Sequence, residues 1–457
     1  MLRTALLILS GNAAASLLLL ARNLIVARMI PVADYGIAAT FALAMAVVEM
    51  ASAFGLQQQI VQSKDGDDPR FQAALQGFQL LRGVASGVIL FLLAGPLARF
   101  MNIPEVIWAY QVLAVVPVLN ALVHFDIHRL NRQMRFGPLL MTGGMPAVVA
   151  LALVWPLSVW FEDWRVMLWS ILAQAGITVL TSHLMAERPY RLIWDRAIVA
   201  GSLRFGWPLL VNAVLMFAVF QGDKLIIGRV MGMEALAIFA MGVTLTLTPT
   251  LVLAKSAQNL FLPKLSSELR KGVAKSPAID RISHKLFAVH YLFGDLMLMG
   301  TVLFGSLFVH VTLGEKYAAL DSFLILMAIQ QGFRIFKGGP STLAVAHGRT
   351  SNPMIANLIR VAFLPLAYIV AMQTRDLILI LMVTILAEFL GFVVSSWLAS
   401  RLPGRHLHLA TALSSVTFQL IVLTLIVLER PHIELVVVTL LTFILATLPK
   451  KSAIFGT

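Results

Sequence analysis

The sequence predicts an all-α polytopic membrane protein, and three observations carry that prediction. Of its 457 residues, 59% are hydrophobic and only 12% charged, with a mean hydropathy of +0.87. Soluble domains carry about 25% charged residues. Apolar runs of about 20 residues, the length a helix needs to cross a bilayer, recur along the chain. Alternating segments of about 10 residues, the mark of a membrane β-barrel, are absent from the sequence.

Windows of about 19 residues place the spans in order. They fall near 5–30, 37–61, 75–98, 106–124, 138–160 and 166–186, then near 203–228, 233–258, 285–310, 318–337, 353–372 and 376–400. A last pair lies near 408–428 and 433–449, which brings the expected total to about fourteen. The opening "MLRTALLILSGNAAAS" has the small residues of a cleavable signal, but its apolar run continues to about Met29. A retained first span is therefore expected.

Loop charge sets the orientation. With the N-terminus cytoplasmic, the inside loops hold Arg129, Arg132, Arg135, Arg188, Arg191, Arg196, Lys264, Arg270, Lys271, Lys275, Arg281 and Lys285, then Arg401, Arg405, Lys450 and Lys451. Roughly 23 of the 35 basic residues fall inside, about 7 outside and about 5 within spans. Both termini are expected in the cytoplasm. The net charge of +13 is spread between spans rather than gathered in a basic domain, so no nucleic-acid partner is expected. Without cysteine there are neither disulfides nor thiolate metal sites. The longest connecting segment, 259–285, is polar and basic and is expected along the inner surface. The stretch "AERPYRLIWDRAIVAGSLRFG" at 186–206 mixes Arg, Trp and aliphatics like an interfacial helix.

An internal repeat divides the chain. "LIVARMIPVADYGIA" at 24–38 aligns with "LIIGRVMGMEALAIF" at 225–239, pairing Arg28 with Arg229 and placing Asn12 and Asn212 at similar depths. Six expected spans separate the copies, so both have the same orientation and the repeat is parallel. The expected organisation is a six-helix lobe at 1–186, a cytoplasmic connector at 187–202, a second six-helix lobe at 203–400 and an extra helix pair with a tail at 401–457. Repeat transporters place the substrate path between such lobes, around a central cavity.

Polar residues inside the spans mark that path. Gln72, Gln76, Gln79, Gly83 and Ser86 share one helical face, with Arg82 at its margin. Further stripes are Thr244, Thr248, Lys255 and Asn259; Gln330, Arg334 and Lys337; Thr384, Glu388, Gly391 and Ser395; and Asn12, Ser16 and Asn23. Thr, Ser and Gly stripes also occur at helix seams. Intramembrane ions must face protein or water, so Arg22, Arg82, Lys255 and Arg360 are read as cavity cations. A structural ion pair is the alternative. Arg334 and Lys337 are placed near the inner surface, where snorkelling explains them equally well. Glu49, Asp223, Asp295 and Glu388 are the acids suited to exchanging a proton or Na⁺, with a pairing role against basic neighbours as the alternative. The cationic lean of the interior favours an anionic cargo, since arginine binds phosphate bidentately.

"RNLIVARMIPVADYGIAATFALAMAVVEMASAFGLQQQIVQ", with Pro31, Asp34, Tyr35 and Gly36, resembles the opening of the polysaccharide-biosynthesis and oligosaccharide flippase family. "GDKLIIGRVMGMEALAIFAMG", with Asp223, Lys224, Gly228, Arg229 and Gly232, is similar to the start of that family's second lobe. Ile30 stands where the family has Gly, and Ala237-Ile238-Phe239 where it has Gly-x-Tyr. The resemblance implies the multidrug/oligosaccharidyl-lipid/polysaccharide exporter superfamily, with two six-helix bundles around a central cavity. It implies transfer of an undecaprenyl-pyrophosphate-linked oligosaccharide across the bacterial inner membrane for O-antigen or exopolysaccharide synthesis, by alternating access. Arg22, Asn23, Gln79, Arg82, Lys255, Arg334, Lys337 and Arg360 would then meet the cargo. About fourteen spans are also similar to the lipid II flippases, and a multidrug cation antiporter is the other alternative. A polysaccharide polymerase and a chain-length regulator are expected partners beside membrane lipids. No enzyme chemistry and no cofactor are expected. The sequence has no phosphate-binding Gly-x₄-Gly-Lys-Ser/Thr loop, so drive is expected from membrane potential, the cargo gradient, or an H⁺ or Na⁺ gradient.

Overall fold

The computed structural model describes residues 2–51, 54–271, 277–402 and 409–427, and the regular elements among them are all helices. The chain divides into two units, Met1–Ala237 and Ile238–Thr457. Ten helices among the described residues are long and apolar enough to cross a membrane, with shorter apolar helices at Val32–Val48 and Thr411–Ile426. The predicted span at 433–449 lies outside the described residues.

In the first unit, α1 (Leu2–Met29) turns into α2 (Val32–Ala51) through Ile30 and Pro31. The Tyr35 N–H donates to the Pro31 carbonyl at 3.0 Å, so α2 begins where a missing proline N–H costs nothing. After α3 (Leu56–Gln62), α4 (Pro69–Phe100) starts with Pro69 in its first turn and the Asp68 carboxylate accepting from the Arg70 N–H at 3.1 Å. The predicted span at 106–124 is two short helices, α5 (Ile107–Leu113) and α6 (Val115–Ala121). Pro117 accounts for the break, because its ring excludes the regular bond to the carbonyl of Leu113. Then follow α7 (Asp126–Arg132), α8 (Gly137–Phe161), α9 (Arg165–Leu184) and α10 (Arg196–Met231). The sequence opens the second lobe at 203, whereas α10 packs on α2, α3 and α4 in the first unit.

The two copies of the repeat meet at their turns. Gly232, at φ +90°, separates α10 from α11 (Met233–Arg270). A Cβ on Gly36 would lie 1.9 Å from the Met233 carbonyl oxygen, so only glycine lets the two turns approach. Gly36→Ala is expected to lower the thermal midpoint in detergent, at a cost of about 1–3 kcal/mol, because backbone cannot yield as a flexible side chain can. An unchanged midpoint would show that the turns separate freely.

In the second unit, α11 is followed by α12 (Pro277–Thr312), α13 (Asp321–Ala346), α14 (Ser351–Ala362), α15 (Leu364–Thr374), α16 (Leu377–Ser400) and α17 (Leu409–Val427). The α14–α15 break at Phe363 precedes Pro365. Helix α13 lies against both α12 and α16, α14 covers α16, and α17 packs on α12 and α13.

The segment 259–285 is mostly helix among its described residues, since α11 runs to Arg270 and α12 starts at Pro277. One sequence expectation is corrected. The stretch 186–195 carries no helix, and α10 begins only at Arg196, where Asp195 accepts from the N–H groups of Ala197 and Ile198. The connector is a strap laid over α4. The Ile193 N–H donates to the Ala73 carbonyl at 3.2 Å and the Gln76 amide to the Arg191 carbonyl at 2.8 Å. A Cβ on Gly77 would fall 2.5 Å from the Ile193 carbonyl oxygen.

Ion pairs fix the same end of the unit. Asp126, fully buried, accepts from Arg129 Nε at 2.5 Å and from the N–H groups of Glu187 at 2.8 Å and Arg188 at 3.2 Å. Arg132 pairs with Asp67 at 3.1 Å and Arg135 with Glu187 at 2.6 Å.

Candidate functional site

The densest group of intramembrane charge lies in the second unit, where α13, α14 and α16 meet. Gln330, Arg334 and Lys337 recur at helical spacing along α13, and Thr384, Glu388, Gly391 and Ser395 form the buried stripe of α16. The two helices pack together, so the stripes face each other. Arg334 donates to Glu388 Oε1 through Nε at 3.0 Å and Nη2 at 2.5 Å, and Lys337 Nζ reaches Oε2 at 3.1 Å. Arg360 comes from α14 and places Nε 3.4 Å from Oε1. Gly391 admits that helix, since a Cβ there would already lie 3.1 Å from the Ala356 carbonyl oxygen.

Glu388 and Arg360 are both 0% exposed, and Lys337 is buried beside them. The set holds three cations on one carboxylate. A lone buried ion would cost several kcal/mol; here Glu388 lowers that cost for each cation, while the cations repel one another. The basic surplus remains, and it suits a polyanion better than a cation. Sequence reasoning named all four charged members but missed Asn357 and Gln331, which accept from Lys337 at 2.9 Å and Arg334 at 3.2 Å. Asn357 precedes Arg360 by three residues, a helical spacing that puts both on one side of α14.

The other predicted residues are not gathered there. Arg22, half-buried on α1, donates Nη1 to Gln174 of α9 at 2.7 Å and Nη2 to its neighbour Asn23 at 3.2 Å. Gln174 carried no sequence signal. Gln79 donates to the carbonyls of Asn120 and Ala121, both at 3.3 Å, where α6 ends and its last carbonyls lack helical partners. Gln76 accepts from the Phe125 N–H, and a Cβ on Gly83 would meet the Cβ of Ala121 at 2.1 Å. The α4 stripe is thus a packing seam against the broken α5–α6 pair. Arg82 is half-buried at its margin.

On α11, Thr244 and Thr248 bond back to carbonyls of their own helix, and Lys255 is exposed. Asp295 of α12 is 1% exposed and faces α17, accepting from Ser415 at 2.6 Å and from Gln419 at 3.5 Å. Asp223 is buried on α10 next to Lys224. The Glu49 side chain lies outside the described residues. Among the described residues, no group of three or more His, Asp or Glu side chains has metal-binding geometry.

The fold is shared with known transporters. A lipid II flippase, MurJ in an inward closed conformation, superposes with a TM-score of 0.72, covering 96% of this chain and 97% of its own at 14% identity. A multidrug resistance transporter of the MATE family, in an inward-facing conformation, gives 0.68 over 84% of this chain and 94% of its own, also at 14% identity. By sequence the chain is similar to the amylovoran biosynthesis protein AmsL of Erwinia amylovora, 21% identical over 63% of this chain and 74% of that protein. It is also similar to the teichuronic acid biosynthesis protein TuaB of Bacillus subtilis (strain 168), 20% identical over 75% of this chain and 71% of that one. The model of one family, polysaccharide biosynthesis proteins, matches residues 25–321, well over half the chain. This multi-pass membrane protein belongs to the polysaccharide biosynthesis protein family.

Proposed function

We infer that the protein is a flippase that moves a polyprenyl-pyrophosphate-linked oligosaccharide across the bacterial inner membrane for polysaccharide synthesis, with both termini in the cytoplasm. The observation that carries this reading is the group of part-buried Arg334 with buried Lys337 and Arg360 around the single buried carboxylate Glu388. Surplus guanidinium charge in a low-dielectric interior suits a pyrophosphate, which two arginines can each grip bidentately. The same surplus disfavours a cationic drug as cargo. Family membership and the amylovoran and teichuronic acid relatives support a polysaccharide pathway.

The cycle is alternating access, in which the path opens to one membrane face and then the other. The cargo changes sides and no bond in it is broken, so the protein acts without catalysis. An H⁺ or Na⁺ gradient supplies drive through Asp295, the buried acid that accepts from the neutral Ser415 and Gln419, with Glu49 and Asp223 as further candidates. Glu388 acts as counter-ion. A polymerase and a chain-length regulator would receive the flipped product. A cell-wall precursor is the second cargo reading, favoured by the MurJ likeness across 96% of the chain.

Polymer export in cells carrying only variant protein tests the assignment. Arg334→Gln is expected to lower export about tenfold or more, the worth of one charged hydrogen-bonding group, at unchanged protein level in the membrane. Arg22→Ala is expected to lower it as well, and Arg334→Lys should fall between wild type and Arg334→Gln. Full export in Arg334→Gln would refute a cargo role for the cluster. Complementation of a lipid II flippase deletion, with no effect on surface polymer, would transfer the assignment to the cell-wall precursor.

A further inference from the structure

Beneath the 186–195 strap lies a hollow of about 200 Å³ at the first turns of α4, lined by Pro69, Gln72, Gln76, Arg188, Pro189 and Arg191. We propose that this niche holds the phosphate of an anionic phospholipid drawn from the adjoining leaflet. The niche belongs to the first unit, shares no residue with the Glu388 cluster and is independent of which cargo crosses.

The niche is built before any ligand arrives. Gln72 and Gln76 line it at 3% and 1% exposure, fixed by the Gln72 amide donating to Gln76 Oε1 at 3.4 Å and the Gln76 amide to the Arg191 carbonyl at 2.8 Å. Arg188 is tethered across its wall, donating Nη1 to Gln72 Oε1 at 3.1 Å and Nη2 to the Asp67 carbonyl at 2.9 Å. The Arg191 side chain is exposed and has no hydrogen-bond or ion-pair partner among the described residues. Its backbone is held in place by the Gln76 amide.

Nearby carboxylates do not compete for these two guanidinium groups. Asp67 is taken by Arg132 at 3.1 Å and Gln133 at 2.9 Å, and Asp195 by Arg70 at 2.9 Å. Glu187 pairs with Arg129 at 3.3 Å and Arg135 at 2.6 Å. Asp68 already caps α4, so the helix end adds little and the arginines supply the attraction. The guanidinium groups of Arg188 and Arg191 match the acceptors of a phosphodiester.

The residues after Arg191 choose the source of that phosphate. Leu192, Ile193 and Trp194 are 47%, 38% and 54% exposed, three large apolar side chains in a row. Their backbone is pinned to α4 through the Ile193–Ala73 bond, so they cannot fold inward. Such a row flanked by Arg191 and Arg196 belongs at the headgroup–acyl boundary, where apolar groups enter the lipid and arginines reach phosphates. A free anion would gain nothing from the apolar row.

Native mass spectrometry of the full chain in detergent, titrated with phosphatidylglycerol and with phosphatidylcholine, tests this. The wild type is expected to retain phosphatidylglycerol preferentially. Arg188→Gln with Arg191→Gln should weaken that retention about tenfold or more. Arg188 also ties the strap down, so Arg191→Gln alone serves as the second variant: it breaks no protein contact and should lose a few-fold. Trp194→Ser should weaken the lipid while leaving competition by inorganic phosphate unchanged. Equal retention by wild type and Arg191→Gln overturns the proposal. So does displacement by millimolar inorganic phosphate together with indifference to Trp194→Ser, which would make the niche a site for free phosphate.

Discussion

Replacing Glu388 by alanine is expected to cost about 3–5 kcal/mol of stability, the largest effect of any single change in the second unit. The carboxylate is fully buried and is the shared partner of Arg334, Lys337 and Arg360. Removing it leaves three cations packed together with no counter-charge, where one pair of unit charges in a medium of effective ε about 20 interacts by about 4 kcal/mol at 4 Å. The variant is expected to give little folded protein and a lowered thermal midpoint in detergent. Glu388→Asp, which keeps the charge on a shorter arm, should recover part of the loss.

A double-mutant cycle then separates charge from packing. With Glu388→Gln the cations lose their counter-ion but the volume stays; with Arg360→Met one cation goes and the stem volume stays. If the ion group governs stability, the double variant loses less than the sum of the singles, because the Glu388–Arg360 attraction is lost in each single but only once in the double. A Glu388→Ala midpoint within about 0.5 kcal/mol of wild type, the range of ordinary surface changes, would mean that water or rearrangement screens the cluster. That outcome would also remove the argument for a low-dielectric phosphate site.

The residues of this cluster show what the sequence makes legible. Arg334 and Lys337 on one face of α13, and Glu388 among small polar residues on α16, follow from helical spacing alone. Spacing gives a face and not its neighbour, so the pairing of those faces, some fifty residues apart, emerges only from packing. Arg334 and Lys337 shared an inner-surface reading with snorkelling residues for that reason; the structure sets both against Glu388, Lys337 buried and Arg334 partly so.

The α4 stripe carried the opposite ambiguity. Gln72, Gln76 and Gln79 present the same pattern whether water or protein satisfies them; here Gln76 and Gln79 bond to main-chain groups of the strap, the end of α6 and Phe125, and Gln72 to the side chains of Gln76 and Arg188. Span positions were legible because apolar length is a direct consequence of bilayer thickness. The helical extension of α11 to Arg270 was not, since polar residues leave a membrane without leaving the helix.

Asp126→Asn is expected to destabilise the first unit by about 3–5 kcal/mol at neutral pH and to flatten its acid profile. Burial pushes the Asp126 carboxyl upward, but hydrogen bonds from the Arg129 guanidinium and the Glu187 N–H, with the Arg129 charge, outweigh it and hold the group below the usual carboxylate range. A depressed folded pKa means the native state binds fewer protons than the unfolded chain. The stabilisation is therefore complete above the unfolded value of about 3.9 and is lost as pH falls through the lower folded one. The asparagine cannot follow that course, because it has no proton to release and no charge to offer Arg129. Wild type should lose thermal midpoint below about pH 4 more steeply than the variant does. At neutral pH the variant's strap should be cut faster by trypsin after Arg191, since Asp126 also holds the N–H groups of Glu187 and Arg188. Parallel acid profiles for the two proteins, with equal strap cleavage, would show that Asp126 is a bystander and that the strap is held by its bonds to α4 alone.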